Sequence, residues 1–125
     1  MNISILPDAE LRIMQTIWEG ETPISTVELQ RKLEEERPWN LSALQTQLGR
    51  LVKKGFLQTE LEGRSRCYSP LVSEQEYLQQ DSRHYLKKWK GGSITDFVAT
   101  LYDGKTIGKK DLEELQLLIE RINEE

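Results

Sequence analysis

The apolar residues of segment 39–70 change their spacing once, from a helical period to a strand-like one. Leucines recur at intervals of three or four, which predicts a helix whose apolar face holds Leu41, Leu44, Leu48 and Leu51. The opposite face of this helix is small, uncharged-polar or basic, and it contains no carboxylate. Lys54-Gly55 is typical of a helix end, because it combines a positive charge with a residue that tolerates left-handed backbone.

A β-hairpin is predicted directly after this helix. Residues 56–61 have the pattern of a strand, residues 62–66 that of a turn, and residues 67–69 that of a returning strand. A helix with a polar and basic outer face, followed by a hairpin with arginines at its tip, is typical of a winged helix-turn-helix. The predicted fold class is therefore mainly α-helical with a small β-wing.

Two shorter helices are predicted before segment 39–70. Asp8 is the expected N-cap of the first, and Ser25 with Glu28 has the form of a capping box at the start of the second. Between them, residues 22–24 are extended and are expected to add a minor third strand. Asn40 is the expected N-cap of the third helix. The interior side chains assigned to the first two helices are Leu11, Met14, Ile17, Trp18, Val27, Leu29 and Leu33.

Three further amphipathic helices are predicted in the C-terminal part of the chain. Ser73 with Glu76 is a second capping box and opens the fourth helix, which Gly91-Gly92 interrupts. Ser93 is the expected cap of the fifth helix. The sixth helix follows from about Lys109, after an Asp-Gly turn.

These three helices carry more apolar surface than a small appendage buries by itself. Burial against the same helices of a second copy would give a two-fold homodimer, whereas the alternative is that they fold back on the first domain. We therefore predict a DNA-binding domain over residues 1–72 and a helical dimerisation region over residues 73–125. The residues assigned to the dimer contact are Tyr85, Trp89, Ile94, Phe97, Val98, Leu101, Leu112, Leu115, Leu118, Ile119 and Ile122.

The outer face of the third helix has the chemistry of a surface that reads DNA. In helix-turn-helix proteins the second helix of the unit enters the major groove, where arginine pairs with guanine, glutamine with adenine, and methyl groups meet thymine. The alternative is that the basic side chains only form a solvated face. Base edges are assigned to Ser42, Ala43, Gln45, Thr46 and Arg50. Phosphates are assigned to Lys53 and Lys54 in the helix, and phosphates or a narrow minor groove to Arg64 and Arg66 at the wing tip.

The charge distribution changes the meaning of the net charge of −4, which by itself disfavours a nucleic-acid partner. Residues 42–66 hold five basic side chains against two acidic ones, whereas residues 108–125 hold three against six.

The single cysteine, Cys67, excludes an intramolecular disulfide and a thiolate zinc site, and it is interpreted as a small sheet residue. No run of apolar residues predicts a membrane span or a signal peptide, so we expect a cytoplasmic protein without membrane partners.

No catalytic site and no cofactor are predicted. The only histidine, His84, falls in a helix beside charged residues, and no nucleophile and acid pair can be assembled around it. Phosphate-binding glycine loops and the zinc-protease helix motif do not occur in the sequence. A small hydrolase that uses His84 remains the least favoured alternative.

Segments along nearly the whole chain resemble the penicillinase repressor family, which includes BlaI-type and MecI-type regulators and copper-responsive CopY-like relatives. The segments are LPDAELRIMQTIW, PISTVELQRKL, RLVKKGFL, EGRSRCYSPLVSEQEYL and the amphipathic C-terminus. The resemblance implies a homodimeric transcriptional repressor that binds a dyad-symmetric operator in double-stranded DNA. The alternative is a winged helix that binds only proteins.

The chain also departs from the family pattern. Ala43-Leu44 and Thr46-Gln47-Leu48 replace residues that are frequent in the recognition helix of the family, which implies a different base preference. Members that sense β-lactams are cut at an Asn-Phe bond, for which this chain has Thr100-Leu101. Copper-responsive relatives carry a C-terminal cysteine motif, and no cysteine follows Cys67. The partner that ends repression, either an inactivating protease or an upstream sensor, is therefore not identified by the sequence.

Overall fold

The computed structural model describes residues 3–88 and 93–125. Within these residues, six helices and three strands occur in the order α1 (Asp8–Glu19), β1 (Ile24–Ser25), α2 (Thr26–Leu33), α3 (Leu41–Lys53), β2 (Leu57–Glu62), β3 (Ser65–Pro70), α4 (Glu74–Lys88), α5 (Ile94–Asp103) and α6 (Lys109–Asn123). The prediction of a mainly helical fold with a small β-wing is confirmed.

The three N-terminal helices pack on the antiparallel sheet around one hydrophobic core. β3 lies between β1 and β2 in this sheet, so the predicted third strand is confirmed, with Ile24 opposite Tyr68. The helical period places its leucines in the core, because Leu44, Leu48 and Leu51 are fully buried. The other fully buried side chains of this core include Ile13, Met14, Ile17, Leu29, Leu33, Phe56 and Leu57.

Polar side chains cap the helices at most of the predicted positions. Ser25 accepts a hydrogen bond from the Glu28 amide at 3.2 Å, and Asn40 Oδ1 accepts one from the Ala43 amide at 3.1 Å. Ser73 and Ser93 cap α4 and α5 in the same way. Such caps satisfy amide groups that have no partner inside the helix.

Asp8 is the exception among the predicted caps. Pro7 precedes α1 as its N-cap and provides no side-chain hydrogen bond, and Asp8 is the first helical residue. Proline fixes the backbone angle at the helix entrance, and the Asp8 carboxylate still lies in the first turn, where the helix dipole favours negative charge.

Two side chains assigned to the interior are exposed instead. The exposed fraction is 75% for Val27 and 44% for Leu41. Each residue lies in the first turn of its helix, where the neighbouring elements do not cover it. The helical period therefore identified the correct face in both helices, but it extended that face one turn too far.

The hairpin has longer strands and a shorter turn than the sequence predicts. Glu62 pairs with Ser65, so only Gly63 and Arg64 form the turn. Gly63 has φ +64° at the first central position, the arrangement of a type II′ turn, whose twist matches that of paired strands. The predicted five-residue turn is thus wrong, and Arg66 belongs to β3.

The chain forms two compact units, Met1–His84 and Tyr85–Glu125, so the division falls inside α4 and not before it. Tyr77 of α4 explains the difference, because its side chain is buried and its hydroxyl accepts a hydrogen bond from the Leu6 amide at 2.9 Å. The Tyr77 ring also lies 5.8 Å from the rings of Trp18 and Phe56. The first half of α4 therefore belongs to the core of the first unit.

The second unit contains α5 and α6, neither of which holds a buried residue. A contact between the rings of Tyr85 and Phe97 at 5.3 Å lies within this unit. The predictions made for Trp89 and for Gly91-Gly92 fall outside the described residues. In the part of the chain that the structure describes, no helix is both long and apolar enough to cross a bilayer.

Candidate nucleic-acid interface

α3 presents one face to the core and the opposite face to solvent. Its buried leucines fix the helix, and its C-terminus is closed by Gly55, whose φ of +84° suits the predicted helix end. The outer face is exposed along its whole length, as the sequence predicts. Its exposed residues are Ser42, Ala43, Gln45, Thr46, Gly49, Arg50 and Lys53.

The charged groups of this outer face are free to bind a ligand. Among the described residues, neither Arg50 nor Lys53 forms a hydrogen bond or ion pair through its side chain. Thr46 differs, because its hydroxyl donates to the Ser42 carbonyl oxygen at 3.0 Å. Gly49 has open space where a Cβ would stand, so no contact within the protein explains the glycine.

Lys54 has a different environment from the other basic residues of the helix. Its Nζ lies 2.6 Å from Oε1 of Glu10, whose side chain is only 3% exposed. The ion pair ties the end of α3 to α1, and we therefore leave Lys54 out of the proposed phosphate contacts. The sequence held a signal for the burial of Glu10, because Glu10 stands at helical spacing from the buried Met14 and Ile17, but none for its partner.

The wing carries two arginines in different settings. Arg64 stands at the tip, where no other described residue bonds its side chain. Arg66 lies in β3 and not at the predicted tip, and its Nη1 donates to Thr59 Oγ1 at 3.2 Å. The Thr59 hydroxyl in turn donates to the Cys67 carbonyl oxygen at 3.1 Å.

The outer half of the hairpin has two faces of opposite charge. Side chains alternate along a strand, so Leu61 shares one face with Arg66, which is directly opposite it. Glu60 and Glu62 lie on the other face with Cys67. Burial, followed by the neighbouring Glu62 carboxylate, raises the pKa of the Cys67 thiol, which keeps it neutral. We call the first of these surfaces the Arg66 face.

The side chains assigned to dimerisation lie at the surface of a single chain. Those that are exposed are Tyr85, Ile94, Leu118, Ile119 and Ile122. Those that are partly buried are Phe97, Val98, Leu101, Leu112 and Leu115. Trp89 lies outside the described residues. The surface of the second unit is thus rich in apolar area, to which α6 contributes Leu117, Leu118, Ile119 and Ile122.

The predicted position of His84 in a helix is confirmed. His84 is exposed on α4, and the described residues contain no cluster of His, Cys, Asp or Glu that could hold a metal ion.

The fold is that of a winged helix-turn-helix protein. It has three packed helices, an exposed basic face on the third helix, and a hairpin that ends a small sheet. The chain belongs to the penicillinase repressor family, whose model, "Penicillinase repressor", matches residues 6–121.

Known relatives cover most of the chain. A penicillinase repressor of Bacillus licheniformis is 30% identical over 115 residues, which are 92% of this chain and 89% of that protein. The solution structure of the DNA-binding domain of the repressor BlaI is 38% identical, with a TM-score of 0.54, over 61% of this chain and 92% of that one. The solution structure of monomeric Bacillus licheniformis BlaI in complex with the blaP half-operator is also 38% identical, with a TM-score of 0.51, over 61% of this chain and 92% of that one.

Proposed function

We propose that this protein is a homodimeric, sequence-specific transcriptional repressor that acts in the cytoplasm. The observation that carries the proposal is the outer face of α3, a fixed helix surface with free basic groups and no carboxylate. A helix with this surface fits the major groove, where Arg50 would contact a base and Lys53 a phosphate. The wing would add backbone contacts through Arg64 and Arg66.

Two further observations support the proposal. A BlaI structure that is 38% identical over most of its length contains a half-operator, so a relative with this wing and helix binds DNA. The outer residues of α6 leave an apolar stripe uncovered, and pairing with a second copy would remove this stripe from water. Two recognition helices related by a two-fold axis would then read half-sites one helical turn apart or a multiple of it.

The family resemblance also bears on how repression ends. A repressor of this kind blocks a promoter while it is bound, and any event that weakens the dimer releases the DNA. An inactivating protease or an upstream sensor is the partner class we propose for this step. The Thr100-Leu101 bond lies inside α5, so a protease would need local unfolding of the helix before it could cut there.

Selection of bound duplexes from a random DNA pool tests the proposed function. We expect an inverted repeat to be enriched, and its binding constant to fall steeply with salt, by about 0.9 in log–log slope for each phosphate neutralised. The full chain is used, and the enriched duplex is titrated at several salt concentrations beside a scrambled duplex. If no motif is enriched and the slope is shallow, the chain is instead a winged helix that binds proteins.

Arg50→Ala is expected to weaken binding to the selected operator by about 1–3 kcal/mol per subunit and to relax base preference at one position of each half-site, because a base contact is lost. Lys53→Ala is the matched control on the same helix face. It should weaken binding to all sequences by a similar factor and lower the salt slope by about one for each bound subunit. The measurement is titration of each variant against single-base operator variants. Unchanged affinity and unchanged preference in Arg50→Ala would show that another face of α3 reads the bases.

A further inference from the structure

We propose that Thr59 is a positioning residue, which holds the Arg66 guanidinium in place for a phosphate of the DNA backbone. The inference rests on the proposed function, because it concerns how the wing meets DNA. Thr59 lies in β2 and is partly buried, so it was not among the residues predicted from the sequence. Its role follows from a chain of hydrogen bonds that joins the two strands of the wing.

The hydrogen bonds of the Thr59 hydroxyl have a fixed direction. The group has a single hydrogen, which it donates to the Cys67 carbonyl oxygen at 3.1 Å. Its lone pairs are thereby left to accept, and Arg66 Nη1 donates to them at 3.2 Å. The Thr59 hydroxyl thus links the β3 backbone to the guanidinium of Arg66, and so it fixes the end of a long, exposed side chain.

The backbone of Arg66 is held from a second side. Thr26 Oγ1, at the first residue of α2, lies 3.5 Å from the Arg66 carbonyl oxygen. β3 therefore approaches α2 at Arg66, the residue whose side chain is hydrogen-bonded to Thr59. The Arg66 backbone thus lies beside the start of α2, and its guanidinium is hydrogen-bonded to β2.

The surroundings of the guanidinium favour an anion from outside the protein. Within the described residues, Arg66 forms no ion pair, and Thr59 accepts only one of the five N–H groups that a guanidinium carries. The wing carboxylates, Glu60 and Glu62, lie on the opposite face of the hairpin. A phosphate that approaches the Arg66 face thus meets free donors without a competing carboxylate.

Arg64 provides the contrast within the same hairpin. Its side chain has no partner among the described residues, so a phosphate contact by Arg64 must include the cost of ordering the side chain. The Arg66 side chain is already ordered in the free protein by its hydrogen bond to Thr59. Without the Thr59 hydroxyl, the Arg66 side chain should become ordered only when DNA binds. Its contact with the phosphate should remain, but it should be weaker.

The test compares Thr59→Val with the wild type, because valine keeps the β-branched shape and removes both hydrogen bonds. For each subunit bound to the selected operator, we expect binding to weaken about 2- to 10-fold at every salt concentration, the range for ordering one long side chain. The salt slope should stay the same, because the number of neutralised phosphates is unchanged. Arg66→Ala should instead lower the slope by about 0.9 for each bound subunit.

Two controls separate positioning from a structural effect. Thr59→Ser retains the hydroxyl and should bind as the wild type does. In the Arg66→Ala background, Thr59→Val should have no further effect on affinity. Circular dichroism and denaturant unfolding show whether each variant is folded, and Thr59→Ala repeats the test if the valine variant is not.

Three results with the Thr59 variants would overturn the inference while leaving the proposed function intact. They are wild-type affinity in Thr59→Val, an equal loss in both backgrounds, and a serine variant as weak as the valine variant. An Arg66→Ala variant with an unchanged salt slope would also overturn it, because the phosphate contact would be missing. Failure of the wild type to bind any duplex selectively would instead reject the proposed function.

Discussion

Lys54→Met is expected to lower the free energy of unfolding by about 3 kcal/mol, a large part of the stability of a small domain. The substitution removes the ammonium group that lies 2.6 Å from the carboxylate of Glu10 and leaves that carboxylate buried without a partner. Loss of one member of a buried pair typically costs about 3–5 kcal/mol. The lower end applies here, because the Lys54 side chain is 31% exposed.

The second half of this prediction concerns the pair as a whole. Glu10→Leu combined with Lys54→Met removes both charges and fills the space with apolar groups, so most of the lost stability should return. Lys53→Met is the matched control, because the neighbouring lysine is exposed and unpaired, and its loss should change stability by less than about 0.5 kcal/mol.

Denaturant unfolding of the wild type, Glu10→Leu, Lys54→Met and the double variant gives the coupling energy between the two residues, and Lys53→Met is unfolded beside them. Equal effects of Lys54→Met and Lys53→Met would show that the pair contributes little and that Lys54 is available to DNA after all. A double variant less stable than Lys54→Met would mean that the site cannot accommodate apolar groups. Only the first result would contradict the interpretation of Lys54 as a structural residue.

The sequence predicted the order and type of the elements correctly where the apolar period was long. The leucines of α3 and the capping residues Ser25, Asn40 and Ser93 gave consistent local signals, and the structure confirms them. These signals are local, because a cap or a helical period depends on residues within a few positions of one another. Family membership likewise agreed with the segments that carried the resemblance.

Features that depend on distant residues were missed. Glu10 and Lys54 are 44 positions apart, and nothing in either segment alone identifies the partner of a buried carboxylate. The register of the hairpin placed Arg66 in a strand, because the type II′ turn at Gly63 is shorter than the turn-forming composition of residues 62–66 indicated. Thr59 became a candidate only when the strand pairing brought its hydroxyl to Arg66.

The ion pair of Lys54 also bears on the proposed DNA-binding surface. The basic residues at the end of α3 divide into one that fixes the helix and two that remain free, Arg50 and Lys53. A helix that is fixed at its C-terminus by an ion pair and along its length by buried leucines loses little freedom on binding. Preorganisation of this kind favours affinity, because less ordering remains for the binding step.

Ile119→Glu combined with Ile122→Glu is expected to convert the proposed dimer into a monomer. Both side chains lie on the outer stripe of α6 and are about half exposed in a single chain, so the charges should disturb a dimer contact more than the fold of one subunit. Loss of the second recognition helix should weaken binding to a full inverted repeat by roughly 10²- to 10⁴-fold. Binding to a single half-site should hardly change.

Leu117→Glu is the matched control, because Leu117 is 66% exposed on the same helix but lies outside the predicted contact stripe. Analytical ultracentrifugation should show a dimer for the wild type and for Leu117→Glu, and a monomer for the double variant. Circular dichroism verifies that α6 remains helical. A double variant that stays dimeric would place the contact elsewhere. A control that dissociates equally would show that the whole apolar surface of α6, and not one stripe, holds the dimer together.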